Sequence, residues 1–189
     1  MNLLLFTGYS ASGKSTIAEY INRDFGYELI GERTILHNLA VRNGYNRTRE
    51  WVIGEDWVTI LHLAREATIE MIASQSTEGV ILDGSYDRDL PASLLYSLPN
   101  AKLTIIHIDL DQETRDLRMM ARMGESLDIA KRERELIDNF KKRAGIEYII
   151  SKADIKVAND GPEAESIVSL KNRLNALEIK PSHPVEHSN

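Results

Sequence analysis

The segment Gly8–Ser15 has the residue types and the spacing of a phosphate-binding loop. Its sequence, GYSASGKS, fits the pattern G-x-x-x-x-G-K-[ST]. The glycines let the main chain turn so that successive N–H groups point at phosphate oxygens, and a helix beginning near Lys14 directs its positive end at the same place. We therefore predict a nucleotide-binding P-loop, with contacts from Gly8, Ser10, Ala11, Ser12, Gly13, Lys14, Ser15 and Thr16.

Three side chains of this segment have separate predicted tasks. The Lys14 ammonium would neutralise charge on the β- and γ-phosphates, and the Ser15 hydroxyl would be a ligand of Mg²⁺. The Thr16 side chain would help to hold the α-phosphate. The alternative is a glycine-rich structural turn that matches the pattern by coincidence, but the segment lies between an apolar run and a helical pattern, as a P-loop requires.

A second candidate for chemistry is Asp83, which directly follows the apolar run Val80–Leu82. An acidic residue at the carboxyl end of a buried strand faces the crevice where α/β sheets bind their ligands. Asp83 could hold Mg²⁺ through water or orient an acceptor, or it could simply cap a turn before Gly84. The presence of a P-loop in the same chain favours the magnesium role.

The region from Arg115 to Arg143 is rich in basic residues, and Arg118 and Arg122 lie one helical turn apart on one face. Arginines that close over a transferring phosphoryl group would stabilise its negative charge and exclude water. We predict a helical lid here, and the alternative is a solvated helix whose acidic residues balance its charge. The basic residues are Arg115, Arg118, Arg122, Lys131, Arg132, Arg134, Lys141, Lys142 and Arg143.

The elements that must position these residues alternate along the chain between apolar strand-like runs and helical patterns. This order predicts an α/β fold with a mainly parallel sheet of about five strands flanked by helices. One long helix is expected over Thr48–Ser74, from its apolar stripe at steps of three and four. The strands are expected at residues 2–7, 27–30, 79–83, 103–109 and 155–158.

Length and composition restrict the class of protein. A chain of 189 residues with 42% hydrophobic and 28% charged residues suits one globular domain, and the absence of cysteine excludes disulfides and zinc–cysteine sites. The net charge of −6 argues against nucleic acid as a partner. Without an export signal or an apolar run of membrane-spanning length, we expect a cytoplasmic protein without a membrane partner, either monomeric or homodimeric.

The order of these motifs resembles the P-loop kinases of the nucleoside-monophosphate-kinase superfamily. The chain is most similar to dephospho-CoA kinases and adenylate-kinase-related proteins, with which it shares the ending Ala153-Asp154-x-x-Ile-x-Asn159-x-Gly161. The stretch Arg42–Glu50 also looks like their acceptor-side segment. The resemblance implies a P-loop NTPase fold that uses ATP and Mg²⁺ and phosphorylates a nucleotide-like small molecule, such as a nucleoside or deoxynucleoside monophosphate or dephospho-CoA.

The same resemblance implies a division of the chain and further site residues. The kinase domain, 1–178, would have a core (1–31, 76–114 and 146–178), an acceptor-binding region (32–75) and a lid (115–145), followed by a flexible tail (179–189). Arg118 and Arg122 would act on ATP and the transferring phosphoryl group, and Gly161 would lie near the adenine. The acceptor-binding residues implied are Arg33, Arg42, Arg49 and Arg88.

The chain also departs from these families at the acceptor side. Dephospho-CoA kinases usually carry an aspartate after the second strand that can act as a base, whereas this chain has Gly31-Glu32-Arg33. Glu32 could replace that base, or Arg33 could bind an acceptor phosphate instead. Two alternative functions therefore stay open at this point: a nucleotide-sensing P-loop NTPase or binding module without a small acceptor, and a polynucleotide 5′-end kinase.

Overall fold

A single sheet of five parallel strands forms the centre of the molecule, in the order β2-β3-β1-β4-β5. The computed structural model describes residues 1–182, apart from the side chain of Ile53. The predicted α/β class, with a parallel sheet of about five strands, is confirmed. The strands are β1 (Asn2–Thr7), β2 (Glu28–Gly31), β3 (Gly79–Asp83), β4 (Lys102–Asp109) and β5 (Ile155–Ala158).

The sheet is buried on both faces, and β1 at its centre shows why. Side chains alternate along a strand, so Leu3 and Leu5 enter one hydrophobic core while Leu4 and Phe6 enter the other. A strand that is covered on both faces has a continuous apolar sequence, and this pattern predicted β1. The P-loop therefore leaves the carboxyl end of the most protected strand of the sheet.

Helices cover both faces of this sheet. The first and last helices close the core that contains Leu4 and Phe6, and helices from the middle of the chain close the other. No helix within residues 1–182 is long and apolar enough to cross a membrane. The helices of this part of the chain are α1 (Lys14–Phe25), α2 (Glu32–Arg42), α3 (Thr48–Gly54), α4 (Trp57–Ala73), α5 (Leu90–Ser97), α6 (Gln112–Met123), α7 (Leu127–Ala144), α8 (Ile146–Ser151) and α9 (Glu163–Ala176).

The single long helix predicted over Thr48–Ser74 is wrong, because the chain breaks there into α3 and α4. Glu55, just after Gly54, is extended, with φ −108° and ψ 159°. Asp56 then caps α4, and its carboxylate accepts a hydrogen bond from the Thr59 amide at 3.0 Å. The stripe that predicted one helix runs from Val58 to Ile72 and lies wholly within α4, so it carried no information about residues 48–56.

The boundary predicted for the tail also differs from the structure. Ile179 is buried in the core beside α1 and α9, and the Tyr27 hydroxyl donates to the Lys180 carbonyl at 2.7 Å. The Ser182 amide bonds the Phe25 carbonyl at 2.8 Å. The first four residues of the predicted tail, 179–182, are thus packed against the domain, and the remainder, 183–189, lies outside the described residues.

Candidate active site

The loop between β1 and α1 follows a path that only glycine permits at both of its ends. Gly8 has a φ of +152°, and a Cβ there would lie 2.6 Å from the Ile108 carbonyl oxygen. Gly13 has a φ of +89°, and a Cβ there would lie 2.3 Å from Nδ2 of Asn159. Gly13 caps α1 without a side-chain bond, so the first amides of this helix remain available to a phosphate.

Two residues of α7 hold the outer side of this loop. The Ser10 amide donates to a carboxylate oxygen of Asp138 at 3.0 Å, and the Lys141 ammonium donates to the Gly8 carbonyl at 3.2 Å. Both α7 side chains are buried. The loop is therefore held from outside by a helix that belongs to the predicted lid.

A third support comes from the turn after β5. The Asn159 side chain donates to the Ser12 carbonyl at 2.8 Å, and its own carbonyl oxygen accepts from the Ser166 hydroxyl at 3.2 Å. Arg118 donates to the main-chain carbonyl of Asn159 at 3.1 Å. Gly161, predicted to lie near the adenine, is exposed in this turn, two residues after Asn159.

On the inner side of the loop, Lys14 meets Glu32 and Lys141. A Cβ on Gly84 would lie 3.2 Å from Oε2 of Glu32 and 3.7 Å from Cε of Lys14, which shows how closely these groups gather. Removal from water raises the pKa of Glu32 well above its ordinary value, although Lys141 and Lys14 oppose this shift. Burial and the charge of Lys14 lower the pKa of Lys141 well below its ordinary value.

The residues predicted to hold Mg²⁺ lie at the same end of the sheet. Asp83 ends β3 and pairs in register with Phe6 of β1, directly before the P-loop. Its Oδ1 atom is buried and has no hydrogen-bond partner among the described residues. Ser15 is exposed in the first turn of α1. A carboxylate oxygen without a partner and an accessible hydroxyl fit the oxygen ligands that Mg²⁺ prefers when it is bound with a triphosphate.

The two predicted lid arginines differ in their surroundings. Arg118 lies against the P-loop, because a Cβ on Gly13 would lie 3.1 Å from its Nη1 atom. Arg122 lies one turn further along α6 and donates to the Met119 sulfur at 2.8 Å. Loss of water and the nearby charge of Arg33 together lower the pKa of Arg122. The charge of Arg33, on the acceptor-side helix α2, therefore acts on α6.

The other arginines predicted to bind the acceptor do not join this cluster. Arg42 is exposed at the last turn of α2, whereas Glu32 is at the first turn. Arg49 is exposed and pairs with a glutamate of α7 at 3.4 Å. Arg88 is exposed and stacks on the ring of Tyr148 at 5.3 Å. Of these four arginines, Arg33 lies close enough to α6 for its charge to act on Arg122.

Sequence reasoning did not assign a site role to Asp138, Lys141 or Asn159, each of which contacts the main chain of the P-loop. Asn159 was part of the quoted ending of the chain, without a role. Asp138 and Lys141 are three residues apart in a helix, a spacing that puts them on one face. That signal is hidden within a run of charges in which most side chains are exposed.

Comparison with known proteins shows which family the chain belongs to. A family model described as an AAA domain (AAA_17) matches residues 7–139, which is more than two thirds of the chain. The chain belongs to this family. It is 27% identical over 177 residues to a shikimate kinase of Chlorobaculum parvum, covering 88% of each chain.

Solved structures share the fold. The structure of TT1252 from Thermus thermophilus superposes with a TM-score of 0.62 at 19% identity, covering 93% of this chain and 97% of that one. A shikimate kinase from Aquifex aeolicus has a TM-score of 0.61 at 23% identity and covers 94% and 99%. The predicted membership of the P-loop kinases is confirmed, although two of the proteins named here are shikimate kinases and none is named as a dephospho-CoA or adenylate kinase.

The family, the homology and the P-loop together identify the chain as a P-loop phosphotransferase. It is an ATP-dependent small-molecule kinase that uses Mg²⁺. The roles of the individual side chains and the identity of the acceptor are the subject of the proposal that follows.

Proposed function

We propose that this kinase transfers the γ-phosphoryl group of ATP to a hydroxyl group of a small anionic acceptor that binds beside Glu32. The observation that carries the proposal is the carboxylate of Glu32 next to Lys14 at the mouth of the P-loop. A carboxylate whose pKa is raised toward neutrality suits a general base, and a hydroxyl acceptor must lose a proton during transfer. An acceptor phosphate is already ionised and needs no such base.

The distribution of cations supports the same choice. Arg33 is a predicted acceptor-binding arginine whose charge acts on Arg122 of α6, so a cation from this side would meet an anionic group of the acceptor. Dephospho-CoA is a nucleotide-like hydroxyl acceptor of this kind, in line with the acceptor class predicted from the sequence. Shikimate, the substrate in the name of the curated relative, is a second hydroxyl acceptor with one anionic group.

In the proposed reaction, Glu32 takes the proton of the acceptor hydroxyl as its oxygen forms a bond to the γ-phosphorus. The bond between that phosphorus and the β–γ bridging oxygen breaks, and ADP leaves. Lys14 stabilises the charge on the β- and γ-oxygens, and Arg118 and Arg122 approach the same charge from α6. Ser15 and Asp83 would hold Mg²⁺, which neutralises phosphate charge when it is bound.

The proposal is tested by measuring ADP release with MgATP and a panel of acceptors: dephospho-CoA, shikimate, nucleoside and deoxynucleoside monophosphates, and a 5′-hydroxyl oligonucleotide. Mass spectrometry then locates the new phosphate on the product. Phosphate on a hydroxyl group of a small acceptor supports the proposal. Transfer only to the phosphate of a monophosphate would refute the proposal. Transfer only to the oligonucleotide would refute it in favour of an end kinase, and hydrolysis that needs no acceptor would refute it in favour of a nucleotide sensor.

Glu32 gives this proposal a pH signature. The base acts as a carboxylate, so kcat/KM should rise as the pH increases through the raised pKa of Glu32. At pH values below that pKa, Glu32 is protonated and kcat/KM should be low. In Glu32→Gln we expect kcat to drop by about 10²-fold or more and this acidic limb to disappear. Glu28→Gln, which changes an exposed carboxylate on β2, is the matched control and should leave the profile unchanged. An acidic limb that survives in Glu32→Gln would exclude Glu32 as the base.

A further inference from the structure

Four charged side chains are buried where α6 packs on α7, and they neutralise one another. Arg134 pairs with Asp116 and, at 3.2 Å, with Asp138. Arg115 pairs with the same oxygen of Asp138 at 2.6 Å. All four residues are at most 7% exposed. Burying charges is costly, and a buried ion pair is often no more stabilising than packed apolar residues, so this arrangement is better explained by what it positions than by the stability it adds.

The side chains of the network also contact the P-loop, through both main-chain polar groups of Ser10. The second carboxylate oxygen of Asp138 accepts the Ser10 amide, and Arg115 donates to the Ser10 carbonyl at 3.4 Å. Both polar main-chain groups of Ser10 therefore bond to buried charged side chains. Burial would raise the pKa of Asp138, but the Ser10 amide and Arg115 outweigh it and lower that pKa, so Asp138 remains a carboxylate.

The segment held in this way is strained. Ala11, which follows Ser10, has a φ of +62°, in the left-handed region that a residue with a Cβ rarely adopts. Such a conformation is unfavourable for a residue with a Cβ and persists only when its surroundings determine it. Ser10 is fixed on one side of Ala11, and Ser12 is fixed on the other by Asn159. The turn of the P-loop is thus set by residues far away in the sequence.

We propose that Asp138 is a positioning residue of the ATP site, which holds the P-loop in its phosphate-binding shape and couples that shape to α7. Arg115 and Arg134 hold Asp138 in place, and Lys141, one turn along the same face, holds Gly8. Displacement of this part of α7 would release the Ser10 amide and loosen the loop. The inference rests on ATP binding at this loop, and it does not depend on the acceptor or on Glu32.

The test measures binding of MgADP by titration calorimetry, which requires no acceptor. In Asp138→Asn we expect the Kd to increase by about tenfold, the size of one lost charge-assisted hydrogen bond. The matched control is Glu135→Gln, which changes an exposed carboxylate that contacts Arg134 at 3.4 Å but not the P-loop, and its Kd should stay as in the wild type. A Kd unchanged in Asp138→Asn, with only the melting temperature lowered, would reduce the network to a structural role and overturn the proposal.

A second measurement uses the unaltered chain and covers the case in which Asp138→Asn does not fold. Hydrogen–deuterium exchange of the nucleotide-free protein should show slow exchange of the Ser10 amide, because its hydrogen bond to Asp138 exists before ATP arrives. Exchange at the rate of an exposed loop would contradict the proposal. Failure of the proposed function is a separate result, since Glu32→Gln should lose turnover without weakening the binding of MgADP: it removes a negative charge beside the lysines of the P-loop.

Discussion

Two lysines share the inner side of the P-loop, Lys14 from the motif and Lys141 from α7. The charge of Lys14 adds to burial in lowering the pKa of Lys141, and the carboxylates of Asp138 and Glu32 compensate only in part. A triphosphate bound at this loop would bring further negative charge to the two lysines.

The arginines of α6 give a prediction at the same scale. Arg118 already contacts the main chain of Asn159, which holds the P-loop, whereas the one hydrogen-bond partner of Arg122 within residues 1–182 is the Met119 sulfur. Arg122→Ala should lower kcat by about 10²-fold with little change in the KM for ATP, because its contact would form in the transition state. Arg118→Ala is the comparison variant, and it should both lower kcat and raise the KM for ATP. Steady-state kinetics at saturating acceptor measures both, and a pure KM effect in Arg122→Ala would exclude the assignment.

Individual residues were predictable from the sequence where their chemistry is local. The P-loop is a contiguous motif, and Asp83 ends a strand that pairs with β1, so both could be assigned from short patterns. Asp138 could not, since its importance depends on how α7 packs against a loop 128 residues away. Arg42 and Arg88 were assigned through family likeness alone, and the structure places them away from Lys14.

At the scale of elements, the turn between α3 and α4 shows how a capping residue begins a helix. Asp56 accepts hydrogen bonds from both the amide and the hydroxyl of Thr59, at 3.0 and 3.1 Å. These bonds satisfy the first amides of α4. Strands and most helices were predictable because burial on both faces and glycine or proline at the ends leave a local mark. This break has such a mark too, since Gly54 ends α3 and Asp56 caps α4, but the prediction extended the helix of the apolar stripe past both residues.

The cap supplies a stability prediction. Asp56→Ala should lower the free energy of unfolding by about 1 kcal/mol, the usual contribution of a helix N-cap, without changing the fold. Urea denaturation followed by circular dichroism measures the difference. Glu55→Ala, at the neighbouring exposed position, removes a carboxylate but no cap and should have a smaller effect. Equal losses in the two variants would show that the cap is not what begins α4.

For the whole molecule, the segment that follows α9 closes one side of the core. Ile179 is 1% exposed, although two residues earlier Leu177 is 39% exposed. Tyr27 connects both ends of the described chain, because its hydroxyl accepts from the Asn2 side chain at 2.9 Å and donates to Lys180. The polar composition of this segment predicted a tail, and one apolar residue changes that assignment.

The contribution of this segment is measurable. Ile179→Ala should lower the free energy of unfolding by about 3 kcal/mol, because it removes a buried aliphatic side chain and leaves a cavity. Leu177→Ala, a change of similar size at an exposed position, is the control and should cost less than about 1 kcal/mol. Chemical denaturation of the two variants in parallel provides the comparison. A loss in Ile179→Ala no larger than that in Leu177→Ala would mean that the segment adds nothing to the core.

The long-range supports of the P-loop also bear on how the protein is synthesised. Gly8, Ser10 and Ser12 leave the ribosome well before their partners Lys141, Asp138 and Asn159, which follow 133, 128 and 147 positions later. A nascent chain therefore carries its ATP-binding sequence long before it has the groups that give that sequence its shape. Competence to retain nucleotide should arise late and abruptly during translation, once the turn after β5 has emerged.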